Sequence, residues 1–244
     1  MFVYTIKRAL MTIPVILVVA LFVFLLLRLS PGDPASVIAG DYATSEDVER
    51  IREKLGLSEP IVVQFAIWVG ALLQGDFGTS IFSSKPVTEL IKQRLEPTLM
   101  LASCTIIFSV IVAVPLGTIA AVKAGSWIDR TVMLFSVGGF SVPVFVLGYI
   151  LIYVFSINLR ILPVQGYKSP FEFGIIPFLQ HIILPTITLS VIYIALLARM
   201  TRASVIEVLE EDYIRTARAK GLSETKILTR HALRNAAVPI VTVI

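Results

Sequence analysis

Few residues in this chain of 244 could do chemistry, and their spacing rules out most of it. His181 and His231 both fall beside expected membrane boundaries, where a hydrogen-bonded surface histidine is the ordinary state, and neither is assigned a catalytic role. Cys104 is the single cysteine and sits within an apolar run, so neither an intrachain disulfide nor a cysteine-based metal cluster can form. No G-x-x-x-x-G-K-[ST] phosphate loop occurs, nor any Gly-Lys dipeptide, so the chain lacks that cradle for nucleotide phosphates. The H-E-x-x-H and G-x-S-x-G patterns are absent as well. One charged stretch remains, Ser204–Asn235, reading EVLEEDYIRTARAKGLSETKILTRHALRN from Glu207. Its spacing predicts two short helices joined at Gly221. Asp212 near the start of the first, with Arg218 and Lys220 near its end, complements the helix dipole, and Gly221 supplies a left-handed stop. Ser223 is placed to cap the second helix, which carries Ile227, Leu228 and Leu233. Spacing alone leaves this segment equally suited to lying on anionic lipid.

The elements around that stretch are set by an excess of apolar residues: 56% of the chain is hydrophobic and 16% charged, against roughly a quarter charged in a soluble domain. The apolar residues come in long runs. A bilayer core of roughly 30 Å needs about 20 apolar helical residues, and that filter predicts four full spans. They are Ala9–Leu29, Thr98–Val122, Thr131–Ile157 and Ile182–Met200. Each is expected to be a helix, because a lone strand leaves its backbone groups unsatisfied in lipid. Pro14, Pro115, Pro143 and Pro185 fall inside these spans and are expected to kink them. A fifth apolar run begins near Ala236 and reaches only Ile244, so the chain is expected to stop inside a fifth span. The fold class expected is therefore all-α: a polytopic transmembrane helical bundle of four complete spans plus a truncated fifth. The N-terminal run, with Lys7 and Arg8 before it, is longer than a signal-peptide core, has no small-residue cleavage site after it, and is read as a retained span.

Basic residues orient the bundle. Lys7 and Arg8 place the N-terminus in the cytoplasm, and Lys123 and Arg130 place the short second-to-third connection there too. Alternation then puts Ser204–Asn235, with its many arginines and lysines, on the same side. Net charge of +4 is thus read as orientation and headgroup contact, and no nucleic-acid partner is expected. The chain divides on this reading into residues 1–30, with the first helix; 31–97, an extracytoplasmic segment with short helices; and 98–244, the core. Within the outer segment, Ser45 is expected to cap a helix bearing Val48, Ile51 and Leu55 that stops at Gly56, with Pro60 beyond it. Ile61–Leu73 is apolar but too short to cross, so it should lie at the interface or pack on the bundle, and Trp68 suits either place. No internal repeat or low-complexity tract is apparent.

The central parts of the spans hold no ionisable residue; Arg28 and Arg199 lie at span ends, where they can snorkel. That argues against a secondary transporter or channel, which calls for midplane carboxylates or inverted repeats. An intramembrane enzyme lacks its paired nucleophile and base.

The stretch Tyr213-Ile-Arg-Thr-Ala-Arg-Ala-Lys-Gly221-Leu-Ser, followed by Arg230-His-Ala-Leu-Arg-Asn235, resembles the cytoplasmic signature of ABC-importer permeases in its dipeptide/oligopeptide/nickel form. Pro31-Gly-Asp-Pro34, Gly75-Asp-Phe-Gly-Thr-Ser80, Pro163-Val-Gln-Gly-Tyr167 and Ala198-Arg-Met-Thr-Arg-Ala-Ser204 resemble that subfamily in the same order, so the likeness covers essentially the whole chain. The resemblance implies a non-catalytic transport subunit in the bacterial inner membrane, forming half of a translocation path for peptides or a related small solute. It implies a second permease subunit, two ATP-binding cassette ATPase subunits and an extracytoplasmic substrate-binding protein as partners. No cofactor is expected on this chain, ATP and Mg being bound by the ATPase subunits. The ATPase-coupling residues implied are Asp212, Tyr213, Arg215, Thr216, Ala217 and Gly221. Ala217 and Gly221 match the alanine and glycine of the importer motif E-A-A-x-x-x-G, whereas Arg215 and Thr216 depart from its first two places and fit the peptide-type variant. A small Ala217 and a turn-forming Gly221 should let a short helix approach a groove closely.

Overall fold

The computed structural model describes residues 2–29, 32–39, 43–54, 56–80, 83 and 85–243. All regular elements among them are helical, apart from one isolated bridge between Thr79 and Pro86. The chain forms two compact units, Met1–Gln93 and Arg94–Ile244.

In the first unit, α1 (Phe2–Leu29) is apolar over its whole length and contains Pro14. Its Phe24 is buried, ringed by Phe65 at 5.3 Å, Trp68 at 5.7 Å and the Arg28 guanidinium at 5.3 Å. Phe65 and Trp68 belong to α4 (Ile61–Leu73), whose bounds match the short apolar run read from the sequence, so that run packs on α1 through its aromatic residues. Between them lie α2 (Pro34–Ala39) and α3 (Ser45–Lys54). Asp33 begins α2 by accepting from Ala35 N at 3.1 Å, and the same carboxylate takes the Arg52 guanidinium of α3 at 2.6 Å. Pro31, Asp41 and Leu55 lie outside the described residues. The cap of α3 is Thr44, not the expected Ser45. Thr44 Oγ1 accepts from Asp47 N, and Asp47 Oδ2 accepts from Thr44 N at 3.2 Å, a reciprocal capping box that Ser45 cannot make one residue later. Gly56, at φ +63°, ends that helix as expected.

The second unit is built around one helix. In chain order its elements are α5 (Val87–Val122, which starts in the first unit), α6 (Trp127–Ser141), α7 (Val144–Leu151, continuing as a π-helix over Ile152–Asn158), α8 (Pro170–Phe173) and α9 (Ile175–Leu209). Then come α10 (Asp212–Ala219), α11 (Glu224–Lys226, continuing as a π-helix over Ile227–Ala232) and α12 (Leu233–Val243). α1, α5 and α9 are long and apolar enough to cross a membrane. α5 extends past its expected span at the N-terminal end, carrying Pro97 inside it, and α9 extends past its expected span at both ends.

The expected third span is not one continuous helix. α6 and α7 meet at a 98° bend, so the pair is one broken span or a re-entrant loop. Pro143 explains the break: it has no N–H to give, and it forces Val142 out of the helical region to ψ 121°. The run at Ala236 is α12, and Ile244 lies outside the described residues.

α9 receives its neighbours at small residues, the usual way helices approach where lipid offers no hydrophobic drive. A Cβ on Gly117 of α5 would overlap the Ala198 carbonyl and stand 2.7 Å from Thr201 Cβ. Gly139 of α6 faces Ala195 and Val191, and Gly148 of α7 faces Thr188. Ala121, Val205, Ala236 and Ile240 form a buried cluster of α5, α9 and α12, and Ser190 Oγ donates across to the Thr105 carbonyl at 3.3 Å.

Candidate functional site

After α9 the chain makes a two-armed hairpin. The last turn of α9 ends at Leu209, whose carbonyl side is closed by Glu210 N bonding back to Ile206 and Glu207. Two residues later α10 begins, with Asp212 in its first turn and Arg218 in its last, as the sequence led us to expect. Gly221 ends it at φ +80°. Leu222 N donates to Ala217 O at 3.2 Å and Gly221 N to Arg218 O at 2.9 Å, the paired bonds of a Schellman cap, and Leu222 packs back on Ala217. A Cβ at Gly221 would meet open space, so the glycine is required by its backbone angle alone.

Ser223 takes the N-cap position of α11 at ψ 145°, but its hydroxyl makes no cap bond; its carbonyl accepts from Ile227 N at 3.0 Å. The arm is held instead by charge. Arg218 Nε and Nη2 donate to the two Glu224 oxygens at 2.7 and 3.2 Å. That fork holds the Glu224 carboxyl below its ordinary range and raises Arg218 in turn. Ile214, Ala217 and Ile227 make the hairpin's own buried cluster, joined by Leu209 and Leu222. Leu228 and Leu233 face the other way, onto the cluster of α5, α9 and α12.

Of the six residues singled out in the sequence, five are outside and one is inside. Asp212, Tyr213, Arg215, Thr216 and Gly221 are exposed. Ala217 is 9% exposed and turned into the Ile214–Ile227 cluster. Arg215 lies 3.3 Å from Asp212, and Thr216 Oγ1 donates to the Asp212 carbonyl at 3.0 Å. The Tyr213 hydroxyl accepts from Asn235 Nδ2 at 2.6 Å, which brings together the beginning of one motif block and the end of the next.

One feature of this site escaped sequence reasoning. Asp129, at the third position of α6, receives Arg202 Nε at 2.5 Å and Nη2 at 2.7 Å, and its Oδ2 also accepts from Gly125 N at 2.9 Å. Ser126 caps the same turn by accepting from Asp129 N. The S-x-x-D spacing of Ser126 and Asp129 signals a capped start for α6, but nothing in a single sequence pairs Asp129 with a residue 73 positions away.

Farther along α9, a cavity of about 420 Å³ lies between α7, the Pro163–Gly166 turn and the α9 residues His181, Leu184 and Thr188. His181 Nδ1 bonds the Pro177 carbonyl at 2.7 Å. Beyond the turn, the Tyr167 hydroxyl donates to Glu96 Oε1 at 2.9 Å and packs edge-on against Phe178. Burial first, and the Glu96 carboxylate second, push the Tyr167 hydroxyl up to about 12.

Several long apolar helices, with α6, α7 and α12 packed on α9, are the form of a multi-pass membrane protein. Residues 113–244 match the family model described as "Binding-protein-dependent transport system inner membrane component", and residues 1–102 match the corresponding N-terminal model. The chain belongs to this family of ABC-importer permeases. It is 56% identical over 242 residues to the probable peptide ABC transporter permease protein y4tP of Sinorhizobium fredii, a match covering 99% of this chain and 77% of that relative. It is 45% identical over 239 residues to the glutathione transport system permease protein GsiC of Salmonella choleraesuis and of Escherichia coli K12, covering 98% of this chain and 75% of each relative. These relatives are transport permease subunits.

Proposed function

We propose that this chain forms half of the translocation path for peptides or a related small thiol peptide such as glutathione, in an ATP-driven importer fed by a substrate-binding protein. The observation that carries this reading is the α10–α12 hairpin, packed against the end of the central helix α9 through Leu209, in a chain whose relatives are named as peptide and glutathione permeases. A second permease subunit completes the path, and two ATPase subunits hold ATP and Mg. They dock on the outer face of the hairpin, at Asp212, Tyr213, Arg215, Thr216 and Gly221, with Ala217 shaping that face from within.

In this reading the N-terminus and the hairpin are cytoplasmic, residues 31–97 face outward, and α6 with α7 makes the third of four spans, α12 beginning a fifth. Residues 1–30 then hold the first span, 31–97 the extracytoplasmic segment and 98–244 the permease core. ATP-driven closure of the ATPase subunits shifts the bundle between inward-open and outward-open populations.

The test is reconstitution of the full-length gene product with its permease partner, ATPases and binding protein in vesicles. Uptake of labelled peptide is expected with ATP inside and binding protein outside, and none without either. Uptake driven by a proton gradient without ATP would overturn the reading. Single cysteines at Glu46 and Glu224, with Cys104 replaced, should react with an impermeant thiol reagent from opposite sides. Labelling from one side would overturn the topology.

A further inference from the structure

We propose that Asp129 and Arg202 are positioning residues that carry movement of the hairpin into α6 and the bend beyond it; this rests on the coupling reading above. The geometry is a continuous chain of close contacts. Leu209, in the last turn of α9, belongs to the apolar cluster of the hairpin, so a displacement of α10 is felt at the end of α9. Arg202 stands seven residues earlier on the same unbroken helix, about 10 Å away at 1.5 Å per residue. There its guanidinium grips both oxygens of Asp129, whose side chain is 5% exposed.

Asp129 has no freedom to absorb the movement. Its Oδ2 is also bonded to Gly125 N, in the turn from α5 to α6, and its backbone N–H is held by the Ser126 hydroxyl. At the same level Gly117 seats α5 directly on Ala198 and Thr201 of α9, close to the Arg202 nitrogen. The C-terminal part of α5 and the start of α6 are thus both held against α9 around Arg202. A planar, two-pronged ion pair suits this use better than an apolar contact, because it resists sliding and rotation alike.

α6 then acts as a lever. Its other end is the 98° bend at Val142 and Pro143, and Ser141, Val142 and Val144 at that bend line a cavity of about 610 Å³ with Leu147, Thr188 and Val191. Because Asp129 ties the base of α6 to α9, a push on the hairpin arrives at this cavity as a movement of α6, instead of being lost in the turn between α5 and α6.

The experiment uses the complete reconstituted transporter. Asp129→Asn combined with Arg202→Gln removes both charges while keeping an acceptor for Gly125 N, and Arg202→Lys keeps the charge but loses the fork. Three quantities are read: ATPase co-purification, ATP hydrolysed per substrate transported, and the spin-label distance between Trp127→Cys and Glu207→Cys, both exposed, with and without ATP. The native pair should give one narrow distance in both states. In the double variant the ATPase should still co-purify, the distance should shift with ATP, and ATP consumed per substrate should rise about tenfold, within the range of ordinary inter-site coupling. Arg202→Lys should fall between. A purely structural ion pair would lower membrane levels in proportion to uptake and leave the ATP-to-substrate ratio of the surviving transporter unchanged, and that result would overturn the proposal. So would a native distance that changes with ATP. Failure of the native complex to retain its ATPase would strike the coupling reading itself, and the inference would fall with it.

Discussion

The Tyr213 hydroxyl and the Asn235 side-chain amide, 22 residues apart, meet at 2.6 Å. Their bond closes the hairpin at its open end, where α10 starts and α12 begins to enter the helix bundle. At the closed end the Gly221 cap and the Arg218–Glu224 fork do the same. Between them sit Ile214, Ala217 and Ile227. A segment of little more than twenty residues is therefore fixed at both ends and in its middle.

Tyr213→Phe removes one neutral hydrogen bond from an exposed pair, so it should cost about 0.5–1 kcal/mol. Asn235→Ala should cost the same, and the double variant no more than either alone, since both remove one bond. Amide hydrogen exchange over residues 224–235 should speed up severalfold in all three, with exchange in α9 unchanged. Additive effects of the two changes would refute the pairing.

Much of this was legible in the residues. Long apolar runs marked α1, α5 and α9, the short run Ile61–Leu73 matched α4, and the glycines at 56 and 221 stop helices with positive φ because no other residue reaches it cheaply. The bend at Pro143 was legible as a position but not as a 98° angle, because the angle depends on Val142 becoming extended and on what α9 offers beyond it. Thr44 and Ser45 are both good capping residues, and only the location of the Asp47 carboxylate chooses between them. Arg202 read only as part of the block Ala198–Ser204, since its partner lies on another helix. The π-helical stretches at 152–158 and 227–232 leave no periodic trace in so few residues.

Gly117→Ala should disable the bundle although it adds a single methyl group to a helix. The new Cβ would overlap the Ala198 carbonyl, a backbone atom of the central helix that cannot rotate away. Overpacking of this kind costs about 1–3 kcal/mol. Gly138→Ala, one of two adjacent glycines in α6, meets nothing within 4 Å and should be neutral or stabilising by up to about 1 kcal/mol. Thermal unfolding of the two purified variants in the same detergent checks the contrast; equal melting temperatures would refute the close crossing.

Tyr167 should ionise well above the ordinary tyrosine range. Its hydroxyl, raised to about 12, is neutral in the folded state well past the ordinary value of about 10. Because the folded value is raised, burial of the neutral hydroxyl first and its bond to Glu96 second contribute stability that is fully present below the unfolded value and is lost as pH rises through the folded one. An ultraviolet titration should contain a component near 12 that Tyr167→Phe deletes and Glu96→Gln moves downward. A titration unaffected by Tyr167→Phe would refute the assignment.

The proposed docking face of the hairpin calls for substitutions sorted by where the structure puts each residue. Ala217→Glu inserts a carboxylate among Ile214, Ile227 and Leu222, so it should unravel the hairpin whatever the hairpin binds. Gly221→Val forces a β-branched residue to φ +80° and should cost about 1–2 kcal/mol, with Gly221→Asn milder. Neither distinguishes a protein partner from a lipid surface. Thr216→Glu does, because Thr216 is exposed and its hydroxyl only bonds back to Asp212 within α10, so the fold should survive the change. If an ATPase subunit covers this face, the new charge is desolvated on docking. It should cost about 2 kcal/mol or more, roughly thirtyfold in affinity, and the ATPase should be lost on co-purification. If the hairpin lies on anionic headgroups instead, the variant should only weaken that attraction, by an amount that shrinks as salt rises, and leave the ATPase attached. Full retention of the ATPase by Thr216→Glu, with normal membrane levels, would move the docking site off this hairpin.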